Sequence, residues 1–173
     1  ILFFLKERFK NLLKDKKIRT DIIDAVITTH RSDDFLVLNE KCQIIHKNIN
    51  KDVCKDIINS YKRVSNILGE EQVNKYEDNF MSPESLLFKK EEEKNLFDKI
   101  NEIRKYFSST RNNEEYALTL KILSEAKPAA DSFFDNVIVN DENLDIKKNR
   151  IALLKMFCKT YNNFIDFSKV EGG

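Results

Sequence analysis

Residues 131–140, DSFFDNVIVN, decide the fold class, because only here does a strand compete with a helix. The stretch runs two Phe, then Asp-Asn, then Val-Ile-Val, then Asn. Val137-Ile138-Val139 is the one run with strand character, and three residues are too few to build a sheet. Apolar residues recur at helical period on both sides of it. The decapeptide therefore reads as a junction between two long helices. The fold class that follows is all-α, a helical bundle of about six to eight helices in a single domain spanning 1–173. In such a junction Phe133, Phe134 and alternate residues of 137–139 anchor to the core. Asp135 and Asn136 have short side chains that can bond the backbone freed at the break.

Working outward, a final helix is expected over about 144–166, with Asn143 as its cap and Ile146, Ile151, Leu154, Phe157, Tyr161 and Ile165 near one face. Upstream, Lys127-Pro128 marks a break after a helix over 114–127. Ser82-Pro83-Glu84 has the chemistry of a helix start, which predicts one long helix from there to about 108. KKEEEK (89–94) reads as its solvated face, Asn112-Asn113 as a break, and 70–81 as a surface connection. Four more helices are expected nearer the start: 2–15; one capped by Thr20; one capped within Ser32-Asp33-Asp34; and one capped by Asn50, stopped by Gly69.

Three Gly and two Pro in 173 residues leave little turn punctuation, which agrees with long helices. Hydrophobic residues are 41% of the chain, enough for a core, and a formal charge of +1 argues against wholesale coating of nucleic-acid backbone. No window has the length of a membrane span and no signal peptide is visible. The apolar start ILFFL without Met reads as a cut from a larger protein. Cys42, Cys54 and Cys158 are odd in number and widely spaced, which suits a reducing, cytoplasmic setting. Cys42 and His46 stand four apart, but no second pair completes a metal site, so core packing is expected. Phosphate-loop, dinucleotide-binding, metalloprotease and hydrolase motifs are missing, and nothing clusters as nucleophile, base and orienting group. No catalytic residue is assigned, and the chain is expected to be non-catalytic itself.

Binding chemistry is a better fit. YKRVSN (61–66) sets Lys62 and Asn66 on one helical face, with Arg63 about 100° away. Arg8, Arg19 and Arg150 fall near predicted helix ends or breaks. Arg8, Arg19, Lys62, Arg63, Asn66 and Arg150 are the candidate RNA contacts, able to hold phosphates or base edges beside Phe and Tyr.

The blocks KPAADSFFDNVIVNDENLDIKKNRIALL (127–154) and DFSKVEG (166–172) resemble the bacterial glycyl-tRNA synthetase β subunits of the α2β2 type. FLKERFKNLL (4–13), IRTDIIDAVI (18–27) and YKRVSNIL (61–68) agree in order. The resemblance implies an all-helical anticodon-binding domain of the DALR type. Leu144-Asp145-Ile146-Lys147 stands where that class has Asp-Ala-Leu-Arg; the match is poor there and better at Asn149-Arg150. It further implies tRNA-Gly as partner through its anticodon loop, the synthetase α subunit as partner of the full β subunit, and a parent glycine-tRNA ligase. That parent would use ATP and magnesium, with no cofactor in this region. Two alternatives stay open: the anticodon-binding domain of another DALR-class enzyme such as arginyl-tRNA synthetase, against which FFDNV and DFSKVEG argue, and a helical scaffold that packs against other subunits.

Overall fold

The computed structural model describes residues 2–29, 34–69, 82–109 and 115–171. These form α1 (Leu2–Asp15), α2 (Thr20–Thr29), α3 (Phe35–Asn48), α4 (Asp52–Leu68), a 3-10 turn η1 (Ser85–Leu87), α5 (Glu91–Ser109), α6 (Tyr116–Ser124), α7 (Lys127–Asn136), α8 (Leu144–Asn162) and a 3-10 turn η2 (Phe167–Lys169). The described residues contain no strand, and none of their helices is long and apolar enough to cross a membrane. The fold is all-α.

α8 is the axis. Ala152, Leu153, Leu154, Met156, Phe157, Cys158 and Tyr161 are all buried, so the helix is apolar around most of its girth, as a helix enclosed by others must be. α4 and α5 both pack against it, α6 and η2 lie against α4, and α7 packs against both α4 and α5. An aromatic cluster locks the C-terminal half of α8. Tyr161 stacks on Phe157 at 4.1 Å between centroids, and Phe167 of η2 sits 5.7 Å from Tyr61 and 5.9 Å from Tyr161. The Tyr161 hydroxyl donates to the Leu123 carbonyl at 2.7 Å, and the Asn162 amide donates to the Tyr61 hydroxyl at 3.0 Å.

Several expected boundaries hold. Asn143 accepts from the Asp145 and Ile146 N–H groups and starts α8. Asp34 caps α3 in the same way. Gly69 ends α4 at φ 74°, a left-handed value that glycine adopts freely. Others differ. Thr20 is the first helical residue of α2, since the Arg19 carbonyl already accepts from Ile23. Lys51, not Asn50, stands at the N-cap of α4 and makes no side-chain cap bond. α8 ends at Asn162, four residues early, because Phe164, Ile165 and Phe167 turn back into the core. The expectations at 30–33, 70–81 and 112–113 lie outside the described residues.

The helix expected from Ser82 does not begin there. Asn149 of α8 grips the backbone of Glu84 from both sides, accepting its N–H at 2.7 Å and donating to its carbonyl at 3.0 Å. The chain makes only η1, straightens at Phe88 and starts α5 at Glu91. KKEEEK is not uniformly solvated either. Glu93 is fully buried and accepts the N–H groups of Lys89 and Lys90, both at 2.8 Å. Its reach back to Lys90, three residues earlier, is the return half of a capping box. Its other oxygen accepts from Arg150 Nε at 2.9 Å.

Arg150 is thus a core residue, 4% exposed. Its Nη1 also donates to the Ile138 carbonyl and to Asp141, both at 2.7 Å. Burial opposes its charge, but hydrogen bonds and attraction from Glu93 and Asp141 outweigh that and raise its pKa. One guanidinium ties α8 to the start of α5 and to the 137–143 loop.

Lys41 is the other buried cation, 3% exposed. Its ammonium donates to the Phe164 carbonyl and lies 4.5 Å from the Phe164 ring centroid and 5.8 Å from that of Tyr116. Compensation comes from two aromatic faces and the negative end of α8 rather than from a carboxylate. Burial lowers its pKa to about 8. Cys42, Cys54 and Cys158 are buried and form no disulfide, and burial pushes Cys42 up to about 12 and Cys54 to about 11. No group of three metal-ligating side chains forms among the described residues.

Arg150→Ala leaves Glu93 buried without its partner and should lower unfolding free energy by about 3–5 kcal/mol in a urea titration. At Lys41 the folded chain releases its proton near pH 8, whereas the unfolded chain holds it to the ordinary 10.5. Between those values the unfolded state binds more protons, so this site adds stability as pH rises. Wild type should therefore gain on Lys41→Met from pH 8 upward, read as the difference between their melting temperatures.

Candidate nucleic-acid interface

α4 buries Cys54, Ile57, Ile58, Tyr61, Val64 and Leu68 along one side. Helical spacing turns the intervening positions outward: Lys62 is half-buried, while Arg63 and Asn66 are exposed. α7 runs beside this edge. Pro128 occupies its first turn, where a missing N–H costs nothing, so Lys127-Pro128 separates α6 from α7 and also starts the new helix. DSFFDN is therefore the last part of α7, and only VIVN belongs to the junction. Phe133 is fully buried. Phe134, about 100° further round the helix, is only partly buried and rises to the surface.

There it meets Arg63. The guanidinium carbon lies over the Phe134 ring, 4.6 Å from its centroid. Asp135 accepts from Arg63 Nη2 at 3.2 Å, and Asp131 is 3.8 Å from Nη1. Lys127 pairs with Asp131 from the first turn of α7. Two carboxylates so flank the guanidinium that lies over the ring, Lys127 pairs with one of them, and the Arg63 side chain is still 45% exposed. Exposed ion pairs contribute little stability, but here they set the orientation of a planar donor.

The structure distributes the six candidate contacts unevenly. It brings Lys62, Arg63 and Asn66 onto one outer edge of α4. Arg8 stands on α1, its guanidinium carbon 5.7 Å from the centroid of the exposed Phe4 ring. Arg19 is held inward: it donates to both Asp21 oxygens, at 3.0 and 2.7 Å, and to the Glu171 carbonyl at 2.9 Å. The hydrogen bond from Asp21 raises the Arg19 pKa against a smaller opposing effect of burial. Arg150 is enclosed, as described above. These two arginines were expected beside helix ends as RNA contacts; the structure shows both engaged within the protein, Arg19 just before α2 and Arg150 inside α8. Phe134, Asp131 and Asp135 are the surface residues that helical spacing alone did not single out. The signal for them was the DSFFD run itself.

The family model described as the DALR anticodon binding domain matches residues 57–171, from the middle of α4 to the end of the described chain. The chain belongs to that family. Curated relatives include the glycine–tRNA ligase beta subunits of Persephonella marina, 33% identical over 172 residues, and of a Sulfurihydrogenibium species, 33% identical over 174. The same subunit of Rickettsia canadensis is 30% identical over 170 residues. The alignments cover 98%, 100% and 98% of this chain but only 23%, 24% and 24% of the relatives, so the chain spans about a quarter of their length.

Within this DALR domain the DFSKVEG block is a structural clasp. The Asp166 N–H donates to the Ala25 carbonyl at 3.1 Å, Lys169 donates to Thr28 Oγ1 at 2.6 Å, and the Glu171 N–H donates to Asp21 at 2.8 Å. It fastens α2, outside the family match, to the matched part. The DSFFDNV block divides its labour: Phe133 and Val137 are core, whereas Asp131, Phe134 and Asp135 surround Arg63. Phe133→Ala should accordingly cost about 3–5 kcal/mol of stability. Phe134→Ala should cost less than half as much, and Arg63→Ala about 1 kcal/mol or less, in parallel urea titrations.

Proposed function

We propose that this chain is the anticodon-recognition module of a glycine–tRNA ligase beta subunit and takes the anticodon loop of tRNA-Gly as its ligand. The parent enzyme, in this reading, attaches glycine to tRNA in the cytoplasm at the expense of ATP, with magnesium as its cofactor, together with an α subunit. The observation that carries it is the family match over 57–171, a span that includes the Lys62–Arg63–Asn66 edge and the α7 residues facing it. The names of the relatives supply the amino acid.

The geometry is compatible with that task. Anticodon bases are unpaired, so they can be splayed onto a protein surface, stacked on aromatic or guanidinium planes and read along their edges. A bundle anchored by α8 holds those planes rigidly. Phosphate contacts from Lys62, and from Arg8 on α1, supply sequence-independent attraction. The near-neutral chain has few such contacts, so binding should be weak, with a shallow salt slope.

One observation favours a second reading, a surface that packs against other parts of a longer subunit. Phe4, Leu5 and Leu12 of α1 are 61%, 43% and 50% exposed, and Leu36 at the start of α3 is 76% exposed. Titration of the chain with tRNA-Gly and with anticodon-swapped transcripts separates the two. The anticodon reading expects tighter binding to the glycine anticodon; equal or absent binding across the set leaves only the packing role.

A further inference from the structure

We propose that Arg63, Phe134 and Asp135 form a station for an unpaired base that carries an exocyclic amine, in first place a cytosine, and that Arg63 does not hold a phosphate there. The proposal rests on the anticodon reading above and specifies the chemistry of that site.

Charge decides between the two ligands. A phosphate approaching Arg63 meets Asp135 at 3.2 Å and Asp131 at 3.8 Å from the guanidinium nitrogens. Both carboxylates would repel it, and Lys127 is already engaged with Asp131. A base is neutral and escapes that repulsion. One side of the guanidinium rests on the Phe134 ring, 4.6 Å from its centroid, and the side chain is 45% exposed. The side turned away from the ring is a flat, oriented plane on which a base can stack. Asp135 is 67% exposed at the rim of that plane. A carboxylate accepts from the N4 amine of cytosine and has nothing to accept from the O4 carbonyl of uracil. A glycine codon begins with two guanines, so a glycine anticodon ends in two cytosines, each with such an amine. Lys62 and Asn66 on the adjoining edge of α4 are left for the sugar-phosphate backbone.

The test uses the 173-residue chain and RNA hairpins that carry a glycine anticodon, alongside the same hairpins with each anticodon cytosine changed to uridine. Wild type should prefer a cytosine hairpin. Asp135→Asn should cut that preference about tenfold, because an amide can donate to the uracil carbonyl. Arg63→Lys keeps the charge and loses the plane, and should weaken binding about tenfold with the salt slope unchanged. A phosphate contact predicts the opposite pattern: Arg63→Lys binds as wild type, and Arg63→Ala lowers the salt slope by about one unit. That pattern overturns the proposal. So does a cytosine preference that survives Asp135→Asn intact, which would leave the anticodon reading standing on other residues. A wild-type chain that binds no hairpin above a scrambled control overturns both. Circular dichroism melts of each variant separate lost contacts from lost folding.

Discussion

The buried ion pair between Arg150 and Glu93 is the constraint on which most of the described bundle depends. A charged guanidinium inside a helical core is costly unless every donor and its counter-charge are placed. Here three acceptors come from two segments: Glu93 at the start of α5, and Asp141 with the Ile138 carbonyl in the 137–143 loop. Glu93 in turn takes the backbone N–H groups that precede α5. Asn149, next door on α8, holds Glu84 by both backbone groups. Two consecutive residues of the central helix therefore set where η1 lies, where α5 begins and how the 137–143 loop is closed.

That arrangement explains why the most family-specific block is more architecture than chemistry. The loop that follows α7 is held from beneath by Arg150, and α7 is held from beneath by Phe133. With both ends fixed, the outward face of α7 has a defined position relative to α4. Phe134 and Asp135 can then meet Arg63 across a gap that no local interaction within either helix would specify. The rigid inner face is what gives a small outer cluster its geometry, the general arrangement of a site supported by locked neighbours.

Helical period, the caps at Asp34 and Asn143 and the glycine stop at Gly69 were all legible, because each depends on residues within a few positions of one another. The outer edge of α4 was legible for the same reason: Lys62, Arg63 and Asn66 follow from helical spacing against a buried Tyr61 and Val64. The errors share one cause. Ser82-Pro83-Glu84 has good local credentials as a helix start, but Asn149, sixty-five residues away, claims the Glu84 backbone. Glu93 in a run of charges looks solvated until Arg150 is placed beside it. Arg19 looks like a free cation until the chain returns to set Glu171 against it.

By itself, then, the sequence determined the all-helical class, the register of most buried faces and, through its family blocks, the kind of domain. Those are properties of neighbours in the chain, where spacing and capping chemistry act over one or two turns. Which charges are buried among partners and which stay open to solvent was decided only by the tertiary structure. Arg150 and Arg63 are the same residue type, each within a long helix. One is held by acceptors from two segments and sealed from water, and the other lies over a half-buried ring with its side chain 45% exposed. Desolvation and the partners that offset it come from residues far apart in the chain, so only the packed fold could separate the two.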